Sequence, residues 1–382
     1  MHLTTGVTAG FEYDDNANTS EFHPTSDAFF LVGPFVNGNI TLPVVLPGGQ
    51  QLSSTLGLAY TWKESLTGRT QSTFTAPLSV QLLLPMYFSE WTVVASENFT
   101  FQNSPVETTF GYNRSVAPTY NNVASINGTR QFGRFALTLA GQRTDIWAPQ
   151  DISLAETDYL FSLTPAWYLR ENVSLFVRNS YGLVYPDYYA RQLVSFWSSE
   201  LGISGVITPS LTGTISLGFA HDHFQNVTLP GPGQGIFGGI YNRQVIGASD
   251  LDGITSTLGL NYTHPLRPNT TYSLTFIRTP GVTAVLINSS ATQVTGVTLS
   301  ITDKLTPSLT LQPILSFQDL VDVGNAGAGE HADLWSVTMA LYKQLGPKWT
   351  GDLNFLHTSR TSNLVGATYD DDQFTIAFSY TF

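Results

Sequence analysis

The sequence has 382 residues, of which 42% are hydrophobic and only 12% are charged, against roughly 25% in typical soluble domains. Its net charge of −12 argues against nucleic acid as a partner, because phosphates are bound by clustered Lys and Arg. Cysteine is absent, which excludes disulfides, zinc–thiolate sites, a catalytic cysteine and C-x-x-C-H haem attachment. We therefore predict no cofactor.

The start of the chain, MHLTTGVTAG, lacks the basic and apolar regions of a signal peptide. It fits either a mature chain that carries an added Met or a chain that is never exported. No run of 18 apolar residues occurs, so we predict no transmembrane helix.

From residue 4 onwards, apolar and polar residues alternate with a period of two over stretches of about ten residues, which predicts strands with two different faces. In TFTAPLSVQLLL one face carries Phe74, Leu78 and Leu82, and the other carries Thr, Ser and Gln. The count is eighteen strands, at about 4–13, 27–38, 52–62, 72–84, 90–101, 108–120, 131–142, 157–169, 172–183, 190–203, 211–222, 252–264, 270–279, 292–303, 308–318, 332–344, 348–358 and 373–382. Irregular patterns at 33–51 and 107–130 leave sixteen as the alternative.

The connections between these strands alternate in length. Short turns occur in LLPMYFSEW, WYLRENVSL, GVITPSLTG, HPLRPNTTY, DKLTPSLTL and KQLGPKWTG, each built on Pro, Asn or Gly. Longer polar connections lie at about 14–26, 63–71, 144–156, 223–250, 279–291, 319–332 and 359–372. This alternation predicts an all-β fold, a transmembrane antiparallel up-and-down β-barrel, with residues 1–382 as one domain and both ends of the chain on the periplasmic side.

Aromatic residues cluster where strands meet turns or loops, as in the girdles at the two membrane interfaces. Those residues are Trp62, Trp91, Trp167, Tyr168, Tyr262, Trp335, Tyr342 and Trp349. The alternative is that they form the core of a soluble sandwich, which would also alternate.

The final strand resembles the last strand of Gram-negative bacterial outer-membrane β-barrels, which ends on an aromatic residue with apolar residues at alternate positions. The matching residues are Phe374, Ile376, Phe378, Tyr380 and Phe382. The opening GVTAGFEYDDNANTS and the LTPSLT-like turns are similar to the β-barrel porin type-2 group. The resemblance implies an outer-membrane location, a signal peptide already removed, and membrane lipid and the outer-membrane assembly machinery as partners, with the five residues as the assembly signal.

If the apolar faces meet lipid, the alternate residues line the lumen, and charges among them would set ion preference. The pore-lining candidates are Arg134, Asp158, Arg170, Arg178, Glu200, Lys304 and Asp352. The alternative is that these charges pair from strand to strand without any role in selection.

Three further segments contain residues of possible functional interest. The long loop at 223–250 is rich in Gly and Pro and is either a constriction folded into the barrel or a surface flap. His221, Asp222 and His223 could suggest catalysis, but no partner residues can be assigned, so we predict no enzyme and no catalytic residue. Asp370, Asp371 and Asp372 lack the spacing of a calcium loop, so we predict a solvated loop tip and no metal site.

These observations predict an outer-membrane, porin-like channel for passive diffusion of small hydrophilic solutes or ions. The alternative is a barrel component of an export system or multi-protein conduit, in which the barrel threads polysaccharide or encloses a partner. A soluble sandwich or propeller is a third interpretation. The sequence leaves open the solute and whether the chain forms a homo-oligomer or binds a partner protein.

Overall fold

The structure is a computed structural model made of antiparallel strands. It describes residues 2–16, 24–45, 51–68, 73–75, 78–88, 90–102, 119–147, 155–186, 193–225, 227–229, 244–246, 249–281, 292–322, 331–363, 365 and 367–382. No helix long and apolar enough to cross a membrane occurs in this part of the chain.

The strands follow one another around a single sheet. The first half contains β1 His2–Asp14, β2 Asp27–Val45, β3 Gln51–Ala59, β4 Thr61–Ser65, β5 Thr73–Thr75, β6 Leu78–Phe88, β7 Trp91–Gln102, β8 Thr119–Phe132, β9 Phe135–Trp147, β10 Glu156–Arg170 and β11 Val173–Pro186. The second half contains β12 Val194–Thr208, β13 Leu211–Phe224, β14 Val227–Leu229, β15 Gln244–Ile246, β16 Ser249–Thr263, β17 Thr270–Gly281, β18 Thr292–Thr306, β19 Leu309–Asp322, β20 His331–Gln344, β21 Trp349–Ser362 and β22 Tyr369–Thr381.

These segments form a closed barrel with eighteen strand positions around the ring, here called staves. β3 and β4 make up one stave, β5 and β6 make up another, and β14 and β15 pair only with each other. β1 pairs with β2 on one side and with β22 on the other, so the sheet has no free edge in this closed ring. The closing contact runs from Gly6 opposite Thr381 to Asp14 opposite Gln373, and the amide of Phe382 donates to the carbonyl of Thr5 at 2.9 Å.

The predicted fold class and the count of eighteen are thus confirmed, with one misplaced strand. The sixth strand was predicted at 108–120 but is β8, Thr119–Phe132, and residues 108–118 lie outside the described part of the chain. The prediction failed because it took 131–142 as one strand and missed the two-residue turn at Gly133 and Arg134. Gly133 has a φ of 60°, which glycine adopts without steric cost. The irregular stretch 33–51 contains the end of the long strand β2.

The short turns lie at one end of the barrel together with His2 and Phe382. Two-residue turns occupy 133–134, 171–172, 209–210 and 307–308, and the intervals between strands at the other end are mostly longer, such as 225–248. The alternation of short and long connections is therefore as predicted, although the intervals 103–118 and 187–193 were not foreseen as long connections.

Residues that oppose one another in neighbouring strands share a face, so the pairing assigns every position to the outside or the inside of the barrel. The outward face is apolar and exposed: Leu217 is 63% exposed, Ile215 56% and Phe161 54%. The inward face is rich in hydroxyl groups that bond across strands. Examples are Ser316 to Ser336 at 2.6 Å, Ser96 to Ser125 at 2.7 Å and Thr8 to Ser379 at 2.8 Å.

Most of the predicted girdle aromatics lie on the outward face, with two exceptions. Tyr342 pairs with Asp352 and Thr310, and Tyr168 pairs with Ser174, all on the inward face. The prediction was wrong for these two tyrosines, because proximity to a turn does not by itself specify the face on which a side chain lies.

Candidate pore lining

A charged pair lies in the middle of the inward face, on β11 and β12. Arg178 and Glu200 oppose each other directly, with Nη1 3.8 Å from Oε2, and the hydroxyl of Ser216 donates to the same Oε2 at 3.1 Å. The Glu200 side chain is only 14% exposed because it lies across Gly218, where a Cβ atom would come within 2.7 Å of Glu200 Cγ. Arg178 is 48% exposed. The lumen at this height therefore faces a guanidinium, whereas its carboxylate partner is held against the wall.

Aromatic rings pack over glycines on the same inward face. Phe176 covers Gly202 and Phe196 covers Gly182, and each ring lies so close that a Cβ on the glycine would clash with it. Phe176 is 6% exposed. These rings lie along the wall instead of projecting across the lumen, which keeps the lumen open despite bulky residues.

Two other candidates lie on the inward face of the wall. Asp352 opposes Tyr342 and Ala377, towards the end with short turns. Asp158 opposes Val184 and Thr144, towards the other end.

Three candidates lie at the short-turn mouth of the barrel. Arg134 is part of the turn itself, and Arg170 ends β10 at a register shift opposite Val173. Lys304 precedes another register shift, and its amide donates to the carbonyl of Asn269 at 3.1 Å. The seven predicted residues are thus distributed over the height of the lumen and do not form one ring; their effect on passing solutes stays a prediction.

A charged group that the sequence analysis did not identify lies towards the outer end of the inward face. Lys63 Nζ is 2.5 Å from Glu12 Oε1 and 4.0 Å from the centre of the Phe29 ring. Asp27 accepts hydrogen bonds from Ser65 and Thr67, both at 2.6 Å. Glu12 was identifiable in principle, since it alternates with Thr8 and Gly10 on β1.

Buried charges continue this group around the closing contact of the barrel. Asp14 and Arg360 are each 1% exposed, and Asp371 is 4% exposed. The side-chain Nε2 of Gln373 donates to Oδ2 of Asp371 at 2.9 Å. Asp371 is therefore a buried strand residue of β22, which corrects the prediction of a solvated loop tip at 370–372.

The AHDHF segment is divided between the two faces of β13. Asp222 is 1% exposed and faces inward, whereas His221 and His223 face outward at the outer end of the wall. Each histidine contacts an aspartate on the neighbouring strand β16. His221 Nδ1 lies 2.8 Å from Asp252 Oδ1, and His223 Nδ1 lies 2.6 Å from Asp250 Oδ1. Asp222 therefore cannot act with the two histidines as one catalytic group.

Two groups of side chains bring possible metal-binding atoms close together. Asp319, His331 and Asp333 lie outward on β19 and β20, and Asp14, Asp15 and Asp371 lie beside the closing contact; within each group the ligand atoms are within 4.8 Å of one another. Carboxylates and imidazole are suitable ligands for a divalent ion.

The exposed apolar outer face, the closed ring of hydrogen bonds and the polar inner face together define a transmembrane β-barrel, the class of protein found in bacterial outer membranes. A soluble sandwich or propeller is excluded by the closed single ring.

No family model and no curated protein matches the sequence. One similar solved structure is Pseudomonas aeruginosa OccK2 (OpdF) in complex with glucuronate, with 10% sequence identity and a TM-score of 0.48, covering 100% of this chain and 98% of that chain. Pseudomonas aeruginosa OpdK with vanillate has 12% identity and a TM-score of 0.45, covering 100% of this chain and 98% of that chain. Acinetobacter baumannii OccAB3 has 10% identity and a TM-score of 0.45, covering 100% of this chain and 99% of that chain. At these identities and TM-scores the likeness gives no information about the solute of this chain. The resemblance to the porin type-2 group stays a prediction.

Proposed function

We propose that this chain is an outer-membrane channel without catalytic activity, through which small hydrophilic solutes or ions diffuse passively. The observation that carries the proposal is the hydroxyl-rich inward face of a closed eighteen-stranded barrel. Barrels of sixteen to eighteen strands are wide enough to leave an aqueous channel, unlike eight-stranded barrels that side chains fill. The rings packed over Gly182 and Gly202 support an open lumen.

Arg178 is the residue on which we expect the ion preference of such a channel to depend most. Its guanidinium is exposed to the lumen near the middle of the barrel, whereas Glu200 is screened by the wall. A fixed charge that faces the lumen acts on passing ions through the surrounding water. The predicted constriction at 223–250 falls outside the described residues, apart from the strand ends and the short pair β14–β15.

Conductance of the purified chain in planar bilayers, together with swelling of liposomes in small sugars, tests the proposal. Steady single-channel conductance and permeation of a sugar are expected. A folded barrel that conducts only after a second protein is added would overturn it in favour of the export or conduit alternative.

A further inference from the structure

The outward face of β7, β8 and β9 contains a polar patch, defined here as Glu97, Asn122, Arg143 and Asp145. Glu97 and Arg143 belong to one row of the sheet, because both oppose Ala124. Asn122 and Asp145 oppose each other in the next outward-facing row. All four share the outward face with Trp91, Ile126 and Leu139, so this patch lies on the side that meets lipid.

The position of the patch along the strands is unusual. On β7 the outward residues run Trp91, Val93 and Ala95 from the short-turn end, then Glu97, and only then Phe99 and Phe101. Tyr120 and Trp147 continue this outer aromatic group, with ring centres 4.9 Å apart, and Tyr120 is 4.7 Å from Phe101. Aromatic girdles mark the membrane interfaces, so a charge between two aromatic groups lies within the apolar band.

The contacts of the patch satisfy Arg143 and Asp145 but not Glu97 and Asn122. Arg143 donates to Asp145 at 2.8 and 3.1 Å and the hydroxyl of Thr157 donates to Asp145 at 3.0 Å, whereas among the described residues Glu97 receives one long hydrogen bond, from Asn122 at 3.3 Å. The side-chain oxygen of Asn122 is enclosed and accepts no hydrogen bond from any residue described here. Hydrocarbon offers no hydrogen-bond donors to these groups, and exposing charges to it is costly.

A groove lies next to the patch on the same outer wall, on the side towards the short turns. It has a volume of about 740 Å³, and its floor includes Gly128 and Gly141, flanked by Ile126, Phe161 and Trp197. Neither glycine projects a side chain, so another protein surface could approach the backbone closely here.

We propose that the patch and the groove form the contact surface between two copies of this chain. The patch carries two acids and one base, and two-fold symmetry can place the base of one copy opposite an acid of the other. A two-fold axis parallel to the barrel axis and passing by Ala124 places Glu97 of one copy opposite β9 of the other. The long Arg143 side chain of the second copy then reaches Glu97 and neutralises it.

This geometry makes a sharp prediction for Ala124, which would lie beside its own counterpart. Because the chain contains no cysteine, Ala124→Cys introduces a single thiol. The matched control is Leu315→Cys on β19, which faces lipid at 42% exposure nine staves away, on the opposite side of the barrel. Both variants are expressed in the outer membrane of a Gram-negative host and oxidised there without detergent.

We expect the Ala124→Cys chain to form a disulfide-linked dimer at least ten times more than the Leu315→Cys chain. Adding Glu97→Arg should abolish most of this dimer by placing like charges opposite each other, and adding Arg143→Glu as well should restore it. Glu97→Gln, which removes the charge without a steric change, should reduce the dimer several-fold. If the arginine variant fails to fold, as judged by heat-dependent mobility on gels, the Glu97→Gln variant still tests whether the charge of Glu97 is needed for the dimer.

Equal cross-linking of the two cysteine variants would overturn the proposal and leave lipid as the neighbour of the patch. A cross-linked band of a mass other than two chains would overturn it in favour of a different protein partner. Failure of the charge exchange to restore the dimer would contradict the pairing of Glu97 with Arg143. None of these outcomes depends on conductance, so the channel proposal is tested separately.

Discussion

The wall around β7–β9 and the opposite wall around β18–β20 follow the same alternation of residues but differ in the order of polarity along the barrel. On β20 the outward residues pass from Met339 and Val337 to Trp335 and then to Asp333 and His331 at the outer end. On β7 the charged Glu97 comes before the outer aromatic residues. Alternation therefore tells which face a residue occupies, whereas the order of residues along that face tells what the face touches.

The inner faces of the two walls differ less. Both carry hydroxyl groups bonded across strands, Ser96 to Ser125 on one side and Ser316 to Ser336 on the other. Packing differs at inward-facing glycines between the two walls: Gly202 on β12 is covered by an aromatic ring, whereas nothing lies within 4 Å of a Cβ built on Gly259 on β16.

The largest expected effect comes from placing a new charge on each outer wall. Leu315→Arg should lower the free energy of unfolding by roughly 2–4 kcal/mol, the cost of a basic residue facing the middle of the bilayer. Ala124→Arg should cost less, because Glu97 and Asp145 lie close enough to pair with it. Denaturant titration in lipid vesicles, followed by tryptophan fluorescence, measures both, and equal losses would show that the two walls have the same surroundings.

The second prediction compares two inward-facing glycines. Gly202→Ala should destabilise the barrel by about 1–3 kcal/mol, because the new methyl group overlaps the Phe176 ring and forces it from the wall. Gly259→Ala is the matched control and should leave the stability nearly unchanged. The same denaturant titration distinguishes them; a harmless Gly202→Ala would mean that the ring moves freely. In that event the single-channel conductance should fall, since the ring would then project into the lumen.

The third prediction asks whether the inner faces are equivalent. Ser96→Ala and Ser316→Ala each remove one hydroxyl of a cross-strand pair and should each cost about 0.5–1.5 kcal/mol, the net value of one hydrogen bond. Thr298→Ala, at another inward position, serves as a control for the loss of a hydroxyl outside the two serine pairs. A markedly larger loss for either serine would show that the inner walls differ as the outer walls do.

The smallest energetic effect is expected for Arg178→Gln. Removing this guanidinium should shift the ratio of cation to anion permeability a few-fold towards cations, because the lumen then loses its exposed positive charge at this height. Reversal potentials in a salt gradient measure the shift, with Thr298→Ala as a neutral control. No change in reversal potential would exclude Arg178 from ion selection, as in the alternative that these charges only pair across strands.

The fold was predictable because the strand signal repeats many times. Period-two patterns such as TFTAPLSVQLLL specify a strand locally, and the alternation of Pro- and Asn-containing turns with long connections specifies the barrel. The sixth strand was misplaced because FGR provides only a single glycine as a turn signal between two similar patterns.

The lumen was less predictable, since its charges act through neighbours distant in sequence. Arg178 and Glu200 meet because β11 and β12 pair in one register, which the sequence alone does not reveal. The screening of Glu200 depends on Gly218, on a third strand. The missed pair of Lys63 and Glu12 similarly joins residues 51 positions apart. The period-two alternation of the sequence predicts that such residues face inward, but it does not predict which residues they contact.

The contact between β1 and β22 also has a consequence for the order of folding. Thr8 and Ser379 bond across it although they are 371 positions apart, so nearly the whole chain must be in place before this hydrogen bond can form. Until then both strands present unpaired amides that hydrocarbon cannot satisfy. Insertion and closure are therefore expected to occur as one late cooperative event, and a chain arrested before that event would be the form most prone to pair with its neighbours.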